Sequence, residues 1–160
     1  MIYFGTFSVI AAVYILWRTY CSYLCSELSD ARTFLAALSD YREKMRCYLS
    51  SPRAWASDYS DERLGDSGFL SRLASGEEMT YVFRELREEY YLTDRVNEIL
   101  NSCFDRLGEG YLDTELEVLA SAIAALGEEV RSMSDELKNR ERVAGALLGA
   151  FAVGTVILIM

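Results

Sequence analysis

Apolar residues fill both ends of the chain, and all charged residues lie between them. Residues 1–17 and 143–160 carry no charge, whereas the 16 basic and 25 acidic residues lie between Arg18 and Arg142. A helix needs about 20 apolar residues to cross a bilayer, and each end is close to that length. In the tail only Thr155 interrupts the apolar run, whereas a buried core helix would carry polar residues at helical spacing. We therefore expect transmembrane spans at 1–17 and 143–160 and one domain at 18–142.

The head, residues 1–17, has the apolar length of a cleaved signal peptide, which is the alternative to a retained span. It has no basic residue before its apolar run and no Ala-x-Ala cleavage site, and both features favour retention. Lys and Arg stay on the cytoplasmic side during insertion. The basic residues next to the spans all belong to the domain: Arg18, Lys138, Arg140 and Arg142. We therefore expect a cytoplasmic domain, and the four cysteines, which lack a framework spacing, fit a reducing compartment.

Two apolar stripes with heptad spacing are the strongest pattern in the domain. The later stripe steps alternately by four and three: Leu112, Leu116, Leu119, Ile123, Leu126, Val130, Met133 and Leu137. The earlier one is broken only at Arg42: Leu24, Leu28, Ala31, Leu35, Leu38, Met45 and Leu49. Such a stripe stays on one helix face and needs an apolar partner. The pattern predicts two long helices, at Tyr20–Ser50 and Leu112–Arg142, which pack antiparallel because each is tied to the membrane at its outer end.

Shorter helices are predicted between the two long ones, because glycine and the single proline punctuate an otherwise helix-forming sequence. Their expected ranges are Pro52–Leu64, Ser67–Ser75, Glu77–Tyr91 and Thr93–Leu107. Ser51 should cap the first of them, with Pro52 at its first position, and Ser75 should cap the third. The predicted fold is all-α, an antiparallel helical bundle built on two long helices that continue into the N-terminal and C-terminal transmembrane spans.

The composition excludes the common kinds of catalytic site. The chain has no histidine and no Gly-Lys-Ser or Gly-Lys-Thr, so the usual general base and the phosphate loop are both missing. Cys21 and Cys25, one helical turn apart, are better explained as packing residues than as metal ligands or an acylation site. The net charge of −9 argues against nucleic acid. We expect no enzyme activity, no cofactor and no metal.

Three segments, together with the order of spans and helices, carry a resemblance to a known family. The first is Tyr48-Leu49-Ser50-Ser51-Pro52, with a tyrosine four residues before a proline at the end of the first long helix. The second is Gly110-Tyr111-Leu112-Asp113, followed by Glu117 where glutamine is expected and preceded by Leu107-Gly108, two residues further upstream than usual. The third is the pair of glycines four apart in the tail, Gly145 and Gly149. In this order they resemble the stage III sporulation protein AB family of endospore-forming bacteria, although Arg53 stands where leucine is usual.

The resemblance implies a non-enzymatic platform in the channel complex between the mother cell and the engulfed forespore. It implies a domain similar to the cytoplasmic domain of F-type platform proteins of type II secretion. It also implies a location in the mother cell membrane around the forespore, with other proteins of the complex, including its cytoplasmic ATPase, as partners. The alternative is a homodimeric membrane-anchored coiled-coil tether or signalling protein, and the oligomeric state stays open.

The candidate functional residues follow from placing these segments on the predicted hairpin. Both family-like segments of the domain fall at the end of the hairpin that lies away from the membrane, where a soluble partner would first touch it. The candidate partner-contact or turn residues are Tyr48, Pro52, Glu109, Gly110, Tyr111, Asp113 and Glu117. The candidate residues for packing between transmembrane helices are Gly145 and Gly149, because small residues let helices approach closely in lipid.

Overall fold

Two long antiparallel helices form the frame of the molecule. A computed structural model describes the backbone of residues 2–108 and 111–159, and the side chains of residues 14–108, 111–144 and 146. Helix α1 spans Ile2–Tyr48 and helix α7 spans Leu112–Ile159. They run in opposite directions, since Tyr20 of α1 contacts Arg140 of α7, whereas Arg32, further along α1, bonds to Ser134, which lies earlier in α7. The described residues contain helices and no strand, which confirms the all-α class and the antiparallel pair.

Five short helices lie in the described residues between α1 and α7, and a 3-10 turn at Arg87–Glu89 follows the fourth of them. They are α2 Pro52–Asp58, α3 Glu62–Asp66, α4 Phe69–Ser75, α5 Met79–Leu86 and α6 Asp94–Phe104. The prediction of one helix over Pro52–Leu64 was wrong. The backbone becomes extended at Tyr59 and again at Asp61, whose side chain accepts a hydrogen bond from the Leu64 N–H at 3.0 Å and so begins a new helix.

The caps of these helices were predicted with mixed success. The Ser51 side chain accepts from the Ala54 N–H at 3.3 Å and Pro52 opens α2, as expected. The Ser75 prediction was wrong, because the Ser75 hydroxyl donates instead to the Arg72 carbonyl of its own helix at 2.7 Å. Helix α5 begins after Glu78, and no side chain caps it.

Helix α1 packs against α7 and against the short helices α2 and α3. The Phe34 ring, 1% exposed, meets the rings of three residues edge-on, at centroid distances of 5.8, 5.5 and 4.9 Å: Phe69, Phe83 and Tyr90. Such arrangements are the favoured ones for aromatic pairs. Phe34 and Tyr41 lie off the predicted stripe of α1. The heptad therefore identified only part of the buried surface of α1.

The stripe of α7 is buried or half-buried except at Leu112, and the buried face is wider than a heptad stripe. Leu119 and Leu126 are fully buried, whereas Leu112 at the start of the stripe is 39% exposed. Val118 and Ala122, outside the stripe, are also buried. Helix α7 packs against α6 as well as α1, and the second neighbour covers these extra positions.

The membrane spans stay predictions. Among the residues with described side chains, no helix is long and apolar enough to cross a membrane. The expected spans at 1–17 and 143–160 lie almost wholly outside these residues, although α1 and α7 continue as helices through most of both ranges. Gly145 and Gly149 also lie outside them.

Candidate partner-contact site at the tip of the bundle

The end of α1 and the beginning of α7 lie at the same end of the bundle, because the two helices are antiparallel. Tyr48 is the last residue of α1, and Leu112 is the first residue of α7. We call this end the tip and define it as residues 48–52, 107–108 and 111–113. The structure thus brings together Tyr48, Pro52, Tyr111 and Asp113, while Glu109 and Gly110 lie outside the described residues.

The tip exposes large apolar and aromatic side chains. The exposed fractions are 77% for Tyr48, 71% for Leu49 and 89% for Tyr111. Tyr48 therefore packs little of its surface against the domain. A group of exposed apolar side chains is typical of a contact surface. Three further residues on this surface are exposed as well: the conformationally rigid Pro52 and the acidic Asp113 and Glu117.

Leu49 has an unusual backbone conformation for a leucine. Its φ is 52°, in the left-handed region, and its N–H donates to the Met45 carbonyl at 3.0 Å. Glycine normally ends a helix in this way, because a Cβ atom in the left-handed region costs about 1 kcal/mol. The chain thus holds a leucine in a strained conformation with its side chain in solvent. Strain of this kind is often found at functional positions.

Glu115, which was not among the predicted site residues, fixes the turn before α7. Gly108 has a φ of 91°, and its N–H donates to the Glu115 carboxylate at 2.9 Å. Helix α7 begins at Leu112, so Asp113 lies within its first turn. Its negative charge still favours the helix N-terminus there. Glu115 could have been identified from the sequence, because it is an acidic residue in the first turn of a predicted helix.

Helix α2 fixes the other half of the tip. Trp55 is 2% exposed, and its Nε1 donates to the Asp40 carboxylate at 2.8 Å. Its ring packs on Tyr41 and Tyr59, with centroid distances of 5.2 and 5.0 Å. Arg53, which departs from the family pattern, donates to the Ala74 carbonyl at the end of α4 at 3.1 Å. The tip is therefore attached to α1 and to α4 by specific contacts.

A buried polar brace lies further along α1, and sequence reasoning missed it. The Asp30 carboxylate, 4% exposed, accepts hydrogen bonds from Arg63 at 2.9 and 3.0 Å and from the Tyr91 N–H at 2.8 Å. Arg63 also donates to the Glu89 carbonyl at 2.6 Å and lies over the Tyr90 ring. The hydrogen bonds to Asp30 raise the pKa of Arg63. This brace joins α1 to α3 and to the turn before α6.

The buried titratable groups have packing roles. Burial raises the pKa of the Cys103 thiol to about 12 and the pKa of Tyr90 to about 12, and it raises the pKa of Tyr41 as well. All three are therefore neutral at physiological pH. Within the described residues, no group of three or more cysteine, aspartate or glutamate side chains could hold a metal ion.

The comparisons with known proteins bear on the fold. No family model matches the chain, and no curated protein matches it. A solved structure described as "Stage III sporulation protein AB (SpoIIIAB)" matches with a TM-score of 0.57 and 13% sequence identity, over 71% of this chain and 97% of that chain. The chain has the fold of stage III sporulation protein AB. This confirms the fold expected from the resemblance of the motifs. At 13% identity, the likeness to SpoIIIAB establishes the fold alone.

Proposed function

We propose that this chain is a non-enzymatic membrane platform component of the channel complex between the mother cell and the forespore. The observation that carries the proposal is the SpoIIIAB-like fold, which extends over 97% of the similar chain. The absence of histidine from the sequence agrees with a role without catalysis. The domain is then cytoplasmic, and the chain is held in the mother cell membrane around the forespore by spans at 1–17 and 143–160.

The tip is the contact site that we propose for a soluble partner, the cytoplasmic ATPase of the same complex. It lies about 46 Å from Trp17 along α1, given 31 residue steps from Trp17 to Tyr48 and a rise of about 1.5 Å per residue. Exposed tyrosines are common anchors of protein interfaces, since they bury a large ring and keep a hydroxyl for hydrogen bonding. Tyr48 and Tyr111 are exposed, so a partner could bury their rings while their hydroxyls form hydrogen bonds.

The alternative function is a homodimeric coiled-coil tether. It requires the apolar stripes to be free for a second chain. Leu119 and Leu126, in the middle of the α7 stripe, are fully buried within a single chain. A dimer formed through this stripe would have to separate α1 from α7. The burial of the stripe therefore favours the platform role over the dimeric tether.

A deletion of the gene in its native host tests the proposal. We expect a loss of heat-resistant spores, which the wild-type gene restores, and co-precipitation of the partner ATPase with the restored protein. The double variant Tyr48→Ser and Tyr111→Ser should accumulate normally in the membrane but co-precipitate less ATPase.

Tyr81→Ser is the matched control, because Tyr81 is 54% exposed and lies on α5, outside the residues that define the tip. It should behave as wild type. Normal sporulation without the gene would refute the proposed function. Full ATPase recovery with the double tip variant would refute the contact site and leave the platform role standing.

A further inference from the structure

Four aromatic residues form a continuous patch at the end of the bundle opposite the tip. Trp17, Tyr20 and Tyr23 are spaced three apart on α1, so they follow one face of the helix. Tyr91, from the segment before α6, meets Tyr23 edge-on with a centroid distance of 5.6 Å. Tyr20, Tyr23 and Tyr91 are 42, 48 and 49% exposed. We call these four residues the basal patch.

The patch is held rigidly by the folded domain. The Tyr91 N–H donates to the buried carboxylate of Asp30 at 2.8 Å, so the backbone at Tyr91 is anchored to the centre of α1. Arg140 lies over the Tyr20 ring, with its guanidinium carbon 5.2 Å from the ring centroid, and this brings α7 to the same level. The half-exposed rings therefore have fixed positions relative to both long helices.

The lower part of the patch, from Trp17 to Tyr23, lies at about the height of the headgroup layer of a bilayer. This layer is roughly 5 to 8 Å thick on each side, given the total and hydrocarbon thicknesses. If Trp17 marks the edge of the hydrocarbon, the Tyr23 backbone lies about 9 Å above it, at a rise of about 1.5 Å per residue. Side chains on a helix point back toward its N-terminus. On α1 that direction is toward the predicted membrane, so the Tyr23 ring lies lower than its backbone.

We propose that the basal patch rests in the lipid headgroup layer, so that the domain contacts the membrane through Tyr23 and Tyr91 as well as through its spans. This inference rests on the proposed membrane anchoring. Tyrosine and tryptophan favour this layer, because the ring is apolar and the hydroxyl or indole N–H is polar. Glu27 and Asp94 lie beside Tyr23, so this contact depends on the rings and hydroxyls and not on positive charge. It would hold the domain at a fixed angle to the membrane.

Tryptophan fluorescence in vesicles tests the contact. The full chain is reconstituted in phosphatidylcholine vesicles, some of whose lipids carry a nitroxide on the choline headgroup, which quenches only nearby tryptophans. In the wild type, Trp17 should be quenched and the buried Trp55 should not. Tyr91→Trp and Tyr23→Trp each add a reporter in the patch, and the Asp30 contact survives in Tyr91→Trp because it uses the backbone N–H. Tyr111→Trp adds a matched reporter at the tip.

We expect most of the emission added by Tyr91→Trp and by Tyr23→Trp to be lost with the nitroxide lipid, and the emission added by Tyr111→Trp to be retained. If Trp17 is quenched while both patch reporters retain their emission like the tip reporter, the basal contact is refuted and the anchoring stands. If Trp17 itself is not quenched, the anchoring fails, and the inference fails with it.

Discussion

Arg63 donates two hydrogen bonds, of 2.9 and 3.0 Å, to the two carboxylate oxygens of Asp30, which lies 33 residues earlier in the chain. Asp30 is almost fully buried, whereas the Arg63 side chain is 38% exposed. The carboxylate also accepts from the Tyr91 N–H. One buried charge thus joins three separate segments of the chain.

Removal of this carboxylate should destabilise the fold. Asp30→Ala leaves Arg63 and the Tyr91 N–H without their partner, and we expect a loss of about 2 to 3 kcal/mol, reduced from the fully buried case by the exposure of Arg63. The measurement is the unfolding of the full chain in detergent micelles. Glu98→Ala is the control, because Glu98 pairs with Arg95 on the surface, and it should cost less than about 1 kcal/mol. Equal losses would show that the brace contributes no more than a surface pair.

Two leucines of the same heptad stripe should respond differently to truncation. Leu126 is fully buried and Leu112 is 39% exposed. We expect Leu126→Ala to cost about 3 kcal/mol through lost burial and the cavity left behind, and Leu112→Ala to cost less than about 1 kcal/mol. Leu126→Asp should be worse than either, since an unpaired carboxylate would be buried. Similar midpoints for the two alanine variants would contradict the burial of the α1–α7 contact.

The stability of the fold should fall at alkaline pH. Burial raises the pKa of Cys103 from its ordinary value of 9.0 to about 12, so the folded state retains a proton that the unfolded state releases. The contribution of the neutral Cys103 thiol to the free energy of unfolding is complete below pH 9 and is lost as the pH rises toward 12. About 1 kcal/mol of it is lost by pH 10. Cys103→Ala should flatten the dependence of the thermal midpoint on pH between 8.5 and 10. An unchanged slope in this variant would assign the effect to other groups.

Leu49→Gly should stabilise the protein, although it removes a large side chain. Leu49 has a φ of 52° and is 71% exposed, so glycine relieves strain and little burial is lost. We expect a gain of about 0.5 to 1 kcal/mol, measured by thermal unfolding. Leu49→Ala keeps the strain and should give no gain. If the tip binds the proposed partner, Leu49→Gly should also weaken that binding, which would separate stability from function at one residue.

Membrane topology can be measured with an impermeant maleimide on intact cells. Cys47 is exposed near the tip and should remain unlabelled until the membrane is opened. Cys103 is unsuitable as a reporter, because it is buried and its raised pKa keeps it as the unreactive thiol in either topology. The labelled peptide is identified by mass spectrometry. Labelling of Cys47 before permeabilisation would place the domain outside the cell.

Periodicity in the sequence predicted the frame of this protein. Heptad spacing is a local property, and it was sufficient for the two long helices and for the burial of Leu119 and Leu126. Their antiparallel packing was predicted from the apolar segment at the outer end of each helix. The ends of these helices then placed Tyr48 and Tyr111 at one end of the bundle. Their exposure could not be predicted, because tyrosine occurs both in cores and on surfaces.

The tertiary structure decided what surrounds the second side of α1. One stripe identifies one partner, but α1 is enclosed by α7 and by the short helices, so Phe34, Tyr41 and Asp30 are buried outside the stripe. The Asp30–Arg63 pair joins residues that are distant in sequence. Contacts of this range depend on how helices pack, and local spacing carries no information about that.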